Sequence, residues 1–132
     1  MTPHAREAIT AGKSWPARYT YVPALRVGNL VFISGTTGTD EDNRIVAPGD
    51  IVEQTRQIFR KFERLLNAAG GSCADIVQTV DYITTTENYK ATAAVRREFF
   101  KGAQPTSTGV LVAGLLRDGA VIEISAVAAL EG

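Results

Sequence analysis

Cysteine and histidine are almost missing from this sequence, with Cys73 and His4 each standing alone. One cysteine excludes a disulfide within the chain. One histidine and one distant thiol cannot assemble a standard zinc or iron shell, so no metal is expected. Cys73 falls in AAGGSCADI, which reads as a surface turn carrying an incidental thiol. Charge of one sign is lacking too: Lys+Arg and Asp+Glu number 14 each, and no net field draws the chain to nucleic acid or a membrane surface. No apolar run has the length of a bilayer span, and the first residues, MTPHAREAITAGKSWPARY, hold no signal-peptide core. A cytoplasmic location is the default expectation. GxGxxG and P-loop patterns are both missing, so no cofactor is expected.

What is present fits one globular domain: 132 residues, 45% apolar and 21% charged. Residues 1–17 carry Pro3, Gly12 and Pro16 without periodicity and read as a loose arm, leaving 18–132 as the domain. Two β runs, YTYVPALRV and LVFISGT, meet at Gly28–Asn29, a hairpin signal. A polar loop follows, with a short strand expected around Ile45 and Val46. Asp50 is a good N-cap, with Glu53 three residues on. From there Ile51, Thr55, Ile58, Phe59, Phe62, Leu65 and Leu66 recur at helical spacing until Gly70–Gly71 stops the helix. Arg56, Arg60, Lys61 and Arg64 fall on its wet side. IVQTVDYITTT reads as a strand in which alternation puts Asp81 with Val77, Thr79 and Ile83. A second helix is expected from near Thr86 to Gly102, then two strands around 106–115 and 120–130 with a turn at Asp118–Gly119.

This order predicts an α+β two-layer sandwich, a mixed sheet with both helices on one face. In the last strand Ile122, Ile124, Ala126 and Ala128 make one face, and Val121, Glu123, Ser125, Val127 and Ala129 the other. The second face is too apolar for open water, so a symmetric oligomer is expected to cover it. Glu123 then lies near an interface between copies, where a carboxylate needs a partner or a wet cleft.

The stretches GNLVFISGT, GDIVEQTRQIFRKFERLLNAAGGSCADIVQTVDYIT, REFF and PTSTGVLV with VIEISAVA resemble the Rid (YjgF-type, RidA-like) family across the chain from Tyr21. The resemblance implies a chorismate-mutase-like fold, a barrel-like homotrimer with clefts between subunits, and cofactor-independent hydrolysis of enamines and imines to ketones and ammonia. It places Glu123 on the glutamate that positions water and Tyr21 on a first-strand pocket tyrosine. Ser34 and Gly35 match the SG pair whose backbone edges the pocket, and Gly109 the position whose N–H helps hold a carboxylate. Two positions depart: Ser107 stands where the family's clamp arginine belongs, and Ala93 where a helix asparagine does. Losing the guanidinium removes a charge-assisted contact of roughly 1.5–3 kcal/mol, which marks a divergent member.

Ser107 and Thr108 offer hydroxyls and backbone N–H groups to a ligand, or serve strand-edge packing alone. Without a nearby histidine, neither is a nucleophile. Arg96 falls amid Tyr89, Ala93, Phe99 and Phe100, and either reaches the substrate past Ala93 or pairs with Asp81. The leading function is a deaminase or hydrolase of a small enamine or imine, with aminomuconate-type acids as one substrate class. The alternatives are a non-catalytic small-molecule-binding protein and, least supported by the charge balance, RNA cleavage or translation inhibition.

Overall fold

The longest amphipathic segment sets the architecture. In the computed structural model, which describes residues 5–131, helix α1 (Ile51–Ala68) begins at Asp50, whose carboxylate accepts from the Val52 and Glu53 N–H groups. These are donors that a helix start leaves without partners. The helix ends as expected, with Gly70 at φ +91° and the Gly71 N–H returned to the Leu66 carbonyl. Ile58, Phe59, Phe62 and Leu66 line its buried side. Gln54 is buried with them because it holds loops together: its amide donates to Ala47 O and Gly119 O and accepts from Val121 N–H.

Lys61 departs from the expected wet side. It turns toward the sheet and donates to Thr36 Oγ1, the Thr37 carbonyl and Thr39 Oγ1 at 2.6, 2.9 and 2.8 Å. Burial, with the charges of Lys13 and Arg117 behind it, pulls its pKa down to about 8. Helix α2 (Thr92–Phe100) starts later than Thr86, because Asn88 adopts a left-handed conformation and a short 3-10 turn, Tyr89–Ala91, intervenes.

Among the described residues six strands make one sheet: β1 (Arg6–Ile9), β2 (Ala24–Val27), β3 (Leu30–Thr37), β4 (Ile76–Ile83), β5 (Thr106–Leu111) and β6 (Ile122–Ala129). Their order is β1-β2-β3-β6-β4-β5, antiparallel throughout except between β4 and β5. The Gly28–Asn29 hairpin forms between β2 and β3 as expected. Part of the anticipated loose arm is an edge strand: β1 is paired to β2, and Ile9 is buried. Near Ile45 only a single bridge to Thr39 forms. The two closing strands follow each other across the Gly119 turn without pairing, since β4 lies beyond β6 and β5 beyond β4. His4 lies outside the described residues.

Both helices cover one sheet face. Cys73 belongs to this core and not to a surface turn: it is fully buried in a 3-10 turn, and its Sγ faces the Phe59 carbonyl. Val77 is also corrected. A bulge between Ile76 and Gln78 shifts β4 by one residue, so Ile76 is buried while Val77 is 45% exposed, away from Thr79, Asp81 and Ile83. Among the described residues, no helix is long and apolar enough to cross a membrane.

Candidate functional site

Glu123 is the second residue of β6, on the outer face of the sheet, partly exposed, between buried Ile122 and Ile124. Its cross-strand neighbours are Thr37 on β3 and Tyr82 on β4. The way β3 meets it depends on a bulge. Ile33 opposes Ala126 and Thr36 opposes Ile124, which leaves Ser34 and Gly35 together against Ser125. This extra residue reverses the alternation of the strand. Gly35 and Thr37 come to the Glu123 face, while Thr36 turns inward to accept from Lys61.

A glycine at position 35 leaves the space that the Glu123 carboxylate occupies. A Cβ there would stand 2.8 Å from Glu123 Oε2, so the carboxylate lies across bare backbone. Among the described residues, no ion pair holds that carboxylate. Ser34 ties the site to the preceding loop, its N–H donating to Pro23 O and its hydroxyl to Val22 O at 2.6 Å. Tyr21, next along, is exposed and packs edge-on against Trp15 at 5.5 Å. With Tyr19, Leu25 and Arg6 these rings line an open groove of about 500 Å³.

The remaining candidates gather at β5 and α2. The parallel register sets Ser107 beside Thr79 and Gly109 beside Asp81, on the helix side, whereas Thr108 stands beside Val80 on the outer face. All three are exposed on an edge strand. Over Gly109 lies the Tyr89 hydroxyl, 2.8 Å from where a Cβ would be. That hydroxyl donates to Asp81 Oδ2. Of the two readings of Arg96, the geometry holds the ion pair: its guanidinium donates to Asp81 Oδ2 at 2.7 Å and Oδ1 at 3.3 Å, with Nε on Thr92. Burial first, and the Asp81 carboxylate second, push Tyr89 up to about 12. Ala93, partly buried, lies one turn before Arg96 on α2.

One chain therefore brings Tyr21, Ser34, Gly35 and Glu123 into a continuous strip and holds Ser107, Gly109 and Arg96 on the other side of the sheet. The sequence reading named Tyr89 only as a neighbour of Arg96 and put Lys61 on the wet side of α1, and it gave neither its polar role. An acid on the core face of β4 was the signal for Tyr89, and a run of threonines ending β3 the signal for Lys61.

Fold and site define a small α+β domain with helices on one sheet face and the Glu123 carboxylate on the other. Residues 12–130 match the family model described as Endoribonuclease L-PSP, and the chain belongs to this family of Rid or YjgF-type proteins. It is 34% identical over 123 residues, 93% of this chain and 97% of the other, to the 3-aminoacrylate deaminase RutC of Acinetobacter baylyi. Among solved structures, a Mycobacterium tuberculosis member of the YjgF-type family shares 31% identity and a TM-score of 0.79 over 96% of this chain and all of that one. RidA from an Antarctic Psychrobacter species shares 30% at 0.82, covering 94% and 99%. The expected two-layer architecture is the family's own.

Proposed function

We propose that this chain is a cofactor-independent deaminase of a small enamine or imine, working in clefts between the subunits of a cytoplasmic homotrimer. The observation that carries this reading is Glu123, a carboxylate without an ion pair among the described residues, laid over Gly35 on a sheet face that exposes Phe32. The 3-aminoacrylate deaminase relative supports the reaction class. In the reaction Glu123 takes a proton from water as its oxygen adds to the imine carbon, and the C=N electron pair moves to nitrogen. Proton return to that nitrogen lets the carbinolamine collapse to a ketone or aldehyde and ammonia. Tyr21, Ser34 and Gly35 wall the cleft. A neighbouring copy brings Ala93, Ser107, Thr108 and the Gly109 backbone, whose hydroxyl and N–H groups orient the substrate.

The test is ammonia release from a panel of amine-derived intermediates, aminomuconate-type acids included, by wild type and by Glu123→Gln. Loss of turnover in the variant with retained fold supports the reading. Equal release by both proteins removes Glu123 from the mechanism. The absence of an arginine at Ser107 favours a second reading, a binding protein without turnover, for which ligands would raise Tm while no ammonia appears.

A further inference from the structure

Gly109 stands inside β5 without the usual reason for a glycine. Its φ is not positive, so no turn requires it, and a glycine within a strand weakens the strand. What it leaves room for is the Tyr89 hydroxyl, 2.8 Å from where a Cβ would be. A larger residue at 109 would stand against that oxygen and cover it. The hydrogen on the oxygen is committed. Asp81, wholly buried and paired with Arg96, is a carboxylate that can only accept, so Tyr89 donates to it. The lone pairs of the same oxygen are left over exposed Gly109, and among the described residues Asp81 is its one hydrogen-bond partner. The backbone beside it is open as well. β5 lies at one edge of the sheet, and the Val112 N–H donates to the Ile83 carbonyl. In a parallel ladder alternate residues turn their polar groups to the partner strand, so Thr108, Val110 and Val112 face β4. Gly109 therefore turns its N–H to the free edge. One acceptor, the Tyr89 oxygen, and one donor, the Gly109 N–H, meet over a Cα that carries no side chain.

We infer that Tyr89 is a substrate-contacting residue that sets specificity: its oxygen accepts the N–H of the substrate's C–N unit while the Gly109 N–H holds an oxygen on the adjacent carbon. The matching ligand is a small enamine or imine with a free N–H and an acceptor oxygen, carboxylate or carbonyl, next to the reacting carbon. This deepens the deaminase reading and rests on it. In that reading the Gly109 edge of one copy faces Glu123 of another, so the phenol holds nitrogen while the acid delivers water to carbon. Burial and the Asp81 carboxylate push the Tyr89 pKa up to about 12, which keeps the phenol protonated at neutral pH and its hydrogen on Asp81. Toward the cleft the oxygen thus acts as an acceptor, the polarity that selects an N–H.

The experiment uses Tyr89→Phe, which keeps the ring and leaves Asp81 with Arg96, beside Gly109→Ala, which keeps the N–H and pushes a methyl against the hydroxyl. Carbonyl formation above the spontaneous rate is measured for the best substrate of the amine-derived panel and for its N-methyl counterpart, whose methyl stands in place of the N–H. Wild type should favour the N–H substrate about tenfold or more in kcat/KM, and Tyr89→Phe should lose most of that preference by slowing on the N–H substrate. Gly109→Ala should do the same, and the double variant should lose little more, since both changes remove one contact. A merely structural tyrosine would slow both substrates alike. Unchanged preference in either folded variant overturns the inference, while Glu123→Gln still reports on the deaminase reading by itself. If wild type turns over nothing, the deaminase reading falls and binding decides the inference. Calorimetry with pyrrole-2-carboxylate and furan-2-carboxylate, which differ by one ring N–H, should then show wild type favouring the pyrrole and Tyr89→Phe indifferent. Equal affinities in wild type, or no binding of either acid, overturn it.

Discussion

The carboxylate of Glu123 and the backbone of Gly35 are packed so closely that a single methyl between them would displace the acid, since its place lies 2.8 Å from Oε2. The obstacle is the tip of a flexible side chain, and Gly35 itself is exposed with a φ open to any residue. Gly35→Ala should therefore fold with a loss below about 1 kcal/mol yet lower kcat by roughly a hundredfold, the scale of an ångström's misplacement. Gly38 gives the contrast. A Cβ there meets the Gln54 Cα and carbonyl at 2.9 Å, backbone that cannot swing away, so Gly38→Ala should cost about 1–3 kcal/mol or more. Urea denaturation beside ammonia-release kinetics separates the two. An active Gly35→Ala enzyme would show that the carboxylate need not lie there.

Much of this arrangement is legible in the sequence where one period dominates. The stripe of α1, its Asp50 cap, the Gly28–Asn29 hairpin and the two faces of β6 all follow from spacing and turn chemistry. Features that depend on a partner distant in sequence are not legible. β1 has three exposed residues of four and becomes a strand only because β2 offers an edge. The bulges in β3 and β4 each add one residue against β6, which no local pattern announces. Cys73 lies beside glycines but is buried because Glu63 accepts its N–H and Phe59 lies over it. Glu123 stood out because an acid inside an apolar alternation is rare. That no ion pair holds it among the described residues became visible only with the neighbouring strands in place.

The Asp81–Arg96 pair puts opposite charges into the core, with the Asp81 side chain wholly buried and that of Arg96 14% exposed. Removing one partner strands a charge. Arg96→Met should destabilise by about 3–5 kcal/mol, and adding Asp81→Leu should recover most of that loss. Denaturation of the single and double variants tests this as a coupled pair. Because the guanidinium is committed to Asp81, turnover measured well below the variant's Tm should stay near wild type. A hundredfold loss of kcat there would return Arg96 to the substrate site.

Cys73 should be chemically silent in the native protein. Its thiol is fully buried, and burial, with Glu63 beside it, pushes its pKa well above the ordinary thiol range, so little nucleophilic thiolate exists near neutrality. Reaction with a chromogenic disulfide reagent at pH 8 should proceed only at the rate of opening and become fast in denaturant. Stoichiometric labelling within seconds of mixing would contradict the packing around Phe59.

Two half-buried groups with opposite shifts shape stability at alkaline pH. Lys61 has its pKa lowered from 10.5 to about 8 by burial, with Lys13 and Arg117 adding to the effect. Between those values the unfolded chain holds more protons than the folded one, so this group makes stability rise with pH from about 8 to 10.5. Tyr89 has its pKa raised from 10.0 to about 12, by burial and then by the hydrogen bond to Asp81. Here the folded chain keeps the proton longer, and stability falls as pH climbs from 10.0 toward 12. Their sum is a contribution that peaks where the two windows overlap, between 10.0 and 10.5. Urea midpoints measured across the alkaline range should show it. Lys61→Met should flatten the rise whatever it does to absolute stability through Thr36 and Thr39, and Tyr89→Phe should remove the fall. If both variants retain the wild-type profile, neither side chain is as deeply held as its surroundings indicate.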